Sequence, residues 1–110
     1  NATKPTFKFI HNSITHNPYG LDSACAFNPK EIASSQDILY NIPEGHYNSE
    51  KCAWQWVAQM LERLQELGVY DNTEIFITAD HGAQSKFLPA QANFHIPLFY
   101  KPLHSKGEMR

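Results

Sequence analysis

The sequence predicts an α/β fold: a βαβ core that belongs to a mainly parallel sheet with flanking helices. Three observations carry that expectation. Residues 6–11, Thr-Phe-Lys-Phe-Ile-His, and residues 74–79, Glu-Ile-Phe-Ile-Thr-Ala, are short runs rich in aromatic and β-branched side chains, the composition of strands. Between them lies a stretch with helical apolar spacing. Strand, helix and strand in that order imply a right-handed crossover with the two strands parallel.

The first predicted strand, 6–11, leads into an irregular region from residue 12 to about 48. Pro18, Gly20, Pro29, Pro43 and Gly45 punctuate it, so only brief regular structure is expected, with one helical turn near 29–34. A connection of that length without a core of its own is usually functional. The helix is predicted over about 49–67. Asn48 or Ser49 can accept hydrogen bonds from its first free N–H groups, and Gly68 suits the left-handed residue after its end. Ala53, Val57, Met60, Leu61, Leu64 and Leu67 recur on one face, with Gln55, Gln59, Glu62, Arg63 and Glu66 on the other, the pattern of a helix lying on a sheet. Trp54 and Trp56 read as packing and rim residues. Residues 70–73, Tyr-Asp-Asn-Thr, make a turn into the second strand. Residues 83–93 form a polar loop, and 96–100, Ile-Pro-Leu-Phe-Tyr, a third strand. Pro97 has no ladder donor and belongs near that strand's start or on an edge.

The composition narrows the function classes. With 110 residues the chain is at most one small domain. An apolar content of 42% and a net charge of -2 are ordinary for a globular protein, and the lysines are scattered, so nucleic acid is not an expected partner. No apolar run approaches the roughly 18 residues of a membrane-spanning helix, and no signal peptide is visible. The opening at Asn1 and the tail after Lys106 suggest an excised fragment or a processed chain. Cys25 and Cys52 fit one disulfide or two buried free thiols, and their spacing leaves both open.

The chemistry concentrates at residues 78–82, Thr-Ala-Asp-His-Gly, directly after an apolar run. A buried strand ending there presents a carboxylate and an imidazole side by side. An oxygen and a nitrogen donor on adjacent residues suit a divalent transition metal. Gly82 is expected to turn the backbone through a positive φ. Ligands of open α/β sheets sit beyond the carboxyl ends of the strands. His16, just after the first predicted strand, should therefore converge with Asp80 and His81 on one edge.

Three segments in order carry a resemblance. They are 7–11 followed by Thr15-His16-Asn17-Pro18-Tyr19, then 67–82 (Leu-Gly-Val-Tyr-Asp-Asn-Thr-Glu-Ile-Phe-Ile-Thr-Ala-Asp-His-Gly), then 94–102 (Phe-His-Ile-Pro-Leu-Phe-Tyr-Lys-Pro). Together they resemble the alkaline phosphatase/sulfatase superfamily, and within it most closely the membrane-anchored lipid A phosphoethanolamine transferases and lipoteichoic acid synthases of bacterial envelopes. The resemblance implies that residues 1–110 are the C-terminal part of an alkaline phosphatase-like catalytic domain. It implies that Asp80 and His81 bind the metal, zinc or manganese. It implies that His16 is a catalytic residue, contacting the phosphate or sulfate group of the substrate or helping to hold a second metal.

In such enzymes a threonine, serine or formylglycine nucleophile forms a covalent intermediate, which passes to an acceptor alcohol or to water. The resemblance thus implies transfer of phosphoethanolamine or phosphoglycerol to an envelope lipid or glycan. The alternatives are sulfatase or phosphodiesterase hydrolysis and a non-catalytic lipid- or partner-binding member. It also implies the extracytoplasmic face of a bacterial inner membrane, reached through membrane segments outside this chain.

The sequence departs from the family in several places. Nothing matches the nucleophile or the remaining acidic ligand, which lie in the family's N-terminal half. Thr73 and Thr78 are no substitutes. Residues 83–89 carry no acid and no histidine, and Lys86 reads as a solvated loop residue. His11, His46, His95 and His104 read as a strand-end, a helix-entry, a strand-orienting and a tail residue. By itself the chain should be catalytically inert and, with uncovered sheet edges, should self-associate.

Overall fold

In the computed structural model, the structure describes residues 4–30, 43–82, 92 and 94–105. It contains one long helix, α1 (Pro43–Glu66), a 3₁₀ turn (Tyr70–Asn72) and two strands, β1 (Ile75–Thr78) and β2 (Leu98–Lys101). The mixed α/β content agrees with the sequence. The parallel arrangement does not form among the described residues. Residues 6–11 form no strand and pair with none among the described residues, and Phe7, Phe9 and Ile10 are exposed. The sheet is instead an antiparallel pair, with Ile75 opposite Lys101 and Thr78 opposite Leu98. A strand needs a neighbour for its N–H and C=O groups. Here β2 returns along β1 and takes that place.

The helix begins about two turns earlier than its apolar stripe predicts. Pro43 is its first residue, a position that needs no backbone donor and suits the fixed φ of proline, and Glu44 follows in the first turn. It ends as predicted. Gly68 has φ +67°, its N–H donates to Gln65 O (2.9 Å), and Val69 N–H donates to Leu64 O (3.0 Å), which together close a Schellman motif. The chain then tightens through the 3₁₀ turn, where Thr73 Oγ1 donates to Val69 O at 2.7 Å. Of the predicted turn at 29–34, Pro29 and Lys30 are helical and the rest lies outside the described residues.

The alternation of the strands sorts two faces. Ile75, Ile77, Phe99 and Lys101 share one, and Trp54 of α1 packs edge-on against Phe99 with ring centroids 5.2 Å apart. Ile75 and Lys101 are buried. The Lys101 ammonium is satisfied locally: it donates to Thr73 O (2.9 Å) and Pro102 O (3.1 Å) and stands 4.5 Å from the Tyr70 ring centroid. This ties β2 to the turn that follows α1. On the other face Phe76 stacks on Tyr100 at 4.6 Å, and Phe76 and Leu98 are exposed.

The loop before α1 is anchored to the helix. Cys25 and Cys52 form a disulfide, which resolves the choice the sequence left open. Among the described residues, no helix is long and apolar enough to cross a membrane.

Candidate metal-binding turn

β1 ends at Thr78, and the next residues turn away from the sheet. Asp80 and His81 are exposed. Asp80 Oδ1 accepts the His81 backbone N–H at 3.0 Å, which fixes the carboxylate over the turn. The other oxygen, Oδ2, lies 3.9 Å from His81 Nε2. His81 Nδ1 lies 2.8 Å from Gly82 O. A carbonyl oxygen only accepts, so Nδ1 donates in this hydrogen bond, which in the neutral ring leaves Nε2 as the coordinating nitrogen, the arrangement of a metal-ligating histidine whose other nitrogen is oriented by a carbonyl.

The donor set fits a divalent ion in part. Two ligands about 2.0–2.1 Å from a tetrahedral ion stand about 3.3 Å apart, so Asp80 Oδ2 and His81 Nε2 would need to close by roughly half an ångström, within reach of side-chain rotation at an exposed site. Two donors are also fewer than the three or four protein ligands that such sites use. Among the described residues, no group of three or more His, Cys, Asp or Glu is placed to hold a metal. His16 was expected to meet Asp80 and His81 on one edge of a parallel sheet, and the described residues 6–11 form no strand of such a sheet.

His16 sits exposed in the loop after that segment, its N–H donating to Ser13 O at 3.0 Å. Its Nδ1 lies 2.6 Å from Asn17 O, and the next peptide, Asn17–Pro18, is cis. Its free Nε2 can accept a proton or, when protonated, donate to an anionic oxygen.

Gly82 is required for a different reason from the expected one. It does not adopt positive φ. A Cβ added to it would collide with Ala92 O and lie 2.8 Å from His95 O, closer than a side chain tolerates. The glycine thus lets the segment before β2 press against the Asp-His turn. His95, read from sequence as a strand-orienting residue, contributes its backbone carbonyl to that contact, and its own N–H donates to Ala92 O at 3.2 Å. Backbone contacts of this kind leave no side-chain signal in a sequence. His46 lies in the first turn of α1, as expected of a helix-entry residue, 3.3 Å from Glu50 and edge-on to Tyr19. Lys86 and residues 83–89 lie outside the described residues.

Comparison with known proteins gives one line of similarity. The chain is 31% identical to human N-acetylgalactosamine-6-sulfatase over 104 residues, 93% of this chain and 20% of that protein. It thus spans about a fifth of the relative's length. No family model matches the sequence, and no solved structure matches it. A sulfatase falls inside the superfamily that the three sequence segments resemble, in its hydrolase rather than its transferase branch.

Proposed function

We propose that this chain forms part of a metal-dependent sulfate-ester hydrolase, with Asp80 and His81 contributing two of the metal's ligands. The observation that carries the reading is the turn at the end of β1. There Asp80 Oδ2 and His81 Nε2 stand 3.9 Å apart on exposed neighbouring residues. The similarity to a sulfatase over most of the chain supports hydrolysis. The relative's name specifies a 6-sulfated N-acetylgalactosamine, and a sulfated sugar is the substrate class we assign.

A divalent ion, zinc or manganese, would be held by Asp80 Oδ2 and His81 Nε2 with ligands from elsewhere in a longer protein. Bound there, it would supply positive charge to the ester oxygens and lower the pKa of the nucleophile. The residues of this chain do the rest of the local work. Asp80 Oδ1 holds the turn through the His81 N–H. Gly82 O fixes the imidazole tautomer. His16, its Nδ1 proton engaged by Asn17 O, presents Nε2 to the anionic group or to the leaving oxygen.

The second reading, transfer of phosphoethanolamine or phosphoglycerol to an envelope lipid or glycan, uses the same residues with an acceptor alcohol in place of water. It rests on the three sequence segments alone. The Cys25–Cys52 disulfide favours an oxidising, extracytoplasmic location for either reaction. The two are separated by incubating the full protein that contains this segment with a sulfated amino sugar, and separately with a phosphoethanolamine lipid plus an alcohol acceptor. Release of inorganic sulfate supports the proposal. Acceptor-dependent phosphoethanolamine transfer without sulfate release overturns it in favour of the second reading.

A further inference from the structure

We propose that His95 is a further histidine of the candidate site, one that donates to an outward oxygen of the sulfate group and does not bind the metal. The identity of the anion rests on the hydrolase reading above. The position of His95 beside the Asp-His turn does not.

Three observations bring His95 there. The first is register. Ile77 lies opposite Phe99 and Thr78 opposite Leu98. Counted on past that last pair, the same antiparallel register sets His95 across from His81. Opposed residues of an antiparallel pair share a face, with Cβ atoms about 4.5–5.5 Å apart. The second is contact. The two segments stay together where the ladder has ended, and the His95 carbonyl lies 2.8 Å from the position a Cβ would take on Gly82, the residue after His81. A glycine at 82 permits that approach, so the backbone of His95 rests against the turn. Its N–H donates to Ala92 O at 3.2 Å, which holds the segment on its other side. The third is availability. His95 is exposed, and among the described residues its imidazole makes no hydrogen bond, ion pair or ring contact.

A ligand and an anion contact occupy different places. Asp80 Oδ2 and His81 Nε2 stand 3.9 Å apart, and among the described residues no third His, Cys, Asp or Glu joins them in a ligand group. His95 is thus close to the pair through its backbone and outside ligand reach through its ring. A tetrahedral anion that meets an ion through one oxygen carries its other oxygens outward. A donor standing beyond the ligands is in place to receive one of them. The neutral imidazole has one N–H to give and the protonated ring two, and a hydrogen bond to an ionised oxygen is stronger than one between neutral groups. His95 breaks no bond and gives up no proton in this role. It binds and orients the ester group.

The soluble part of the full protein containing this segment, purified with its metal and titrated with inorganic sulfate in a calorimeter, tests the assignment. His95→Ala should keep the parent's circular dichroism and metal content and should bind sulfate about tenfold more weakly, the scale of one hydrogen bond to a charged group. His95→Gln or His95→Asn, each of which keeps an N–H donor, should recover most of that loss. Unchanged sulfate affinity in His95→Ala overturns the proposal. Loss of metal in that variant overturns it as well, because His95 would then be a ligand. Loss of the native circular dichroism in all three variants would make the ring structural, and recovery in neither the glutamine nor the asparagine variant would remove the donor as the cause; either result overturns it. A parent that holds no metal or takes up no sulfate overturns the hydrolase reading and this inference with it. A parent that binds both, with His95→Ala unaffected, removes His95 alone.

Discussion

His16 and His81 hold the same hydrogen bond: each Nδ1 lies close to the carbonyl oxygen of the following residue, 2.6 Å from Asn17 O and 2.8 Å from Gly82 O. In the neutral form of each ring, this hydrogen bond favours the tautomer with the proton on Nδ1. In a surface histidine without work to do, the two tautomers interconvert through solvent. A local carbonyl that selects one of them prepares the other nitrogen as a ligand or a base before any partner arrives.

Replacing Gly82 with alanine should be costly out of proportion to one methyl group. The added carbon would meet backbone oxygens of Ala92 and His95, which cannot swing aside like a flexible side chain. Overpacking of this kind destabilises by about 1–3 kcal/mol. Urea denaturation of the variant should show that loss. An alanine variant as stable as the parent would mean that residues 92–95 do not rest on the Asp-His turn.

Tyr100 donates to Glu74 Oε1 at 2.6 Å, and that hydrogen bond, with smaller contributions from burial and from the carboxylate's charge, raises the phenol pKa above its usual value. A raised folded-state pKa favours the protonated form. Its contribution to stability is therefore complete below the unfolded pKa near ~10 and is lost as the pH climbs through the folded value. Carbon-13 labelling of tyrosine, read by NMR, should show the raised Tyr100 midpoint, and Glu74→Ala, which removes the acceptor, should bring it down. An unmoved midpoint in that variant would remove the hydrogen bond as the cause.

The outer face of the strand pair, with Phe76, Leu98 and Tyr100, is unpaired with any helix among the described residues, and Phe76 is 63% exposed. A two-stranded sheet also has two free edges. The chain in isolation should therefore self-associate, and a Phe76→Lys, Leu98→Lys variant should do so less. Analytical ultracentrifugation over a concentration series checks this. A clean monomer at high concentration would contradict it.

Much of the helix–sheet unit is legible in the sequence, because its signals are local. Val57, Leu61 and Leu64 sit on the half-buried side of α1 as their spacing requires, and Gly68 ends the helix where its left-handed φ is needed. The start of α1 was hidden because Pro43 and Gly45 read equally well as loop punctuation. The run at residues 6–11 has strand composition, but pairing is a tertiary matter and its composition could not supply a partner. The antiparallel return of β2 was obscured for the same reason.

At the candidate site, the Asp80–His81 adjacency is visible in the letters. The carbonyls that fix the tautomers are backbone groups and are not. Lys101 illustrates the same limit: it falls just past the strand predicted at 96–100, yet it is buried with its ammonium on two carbonyls and a ring face.

The central claim is that Asp80 and His81 are metal ligands, and bound metal is its most direct test. The soluble part of the full protein containing this segment, purified and analysed by elemental mass spectrometry, should carry stoichiometric zinc or manganese. An Asp80→Asn, His81→Ala variant that keeps its fold by circular dichroism should lose it. A folded parent without metal, or a variant that retains it in full, would contradict the assignment and leave the turn after β1 as a structural feature only.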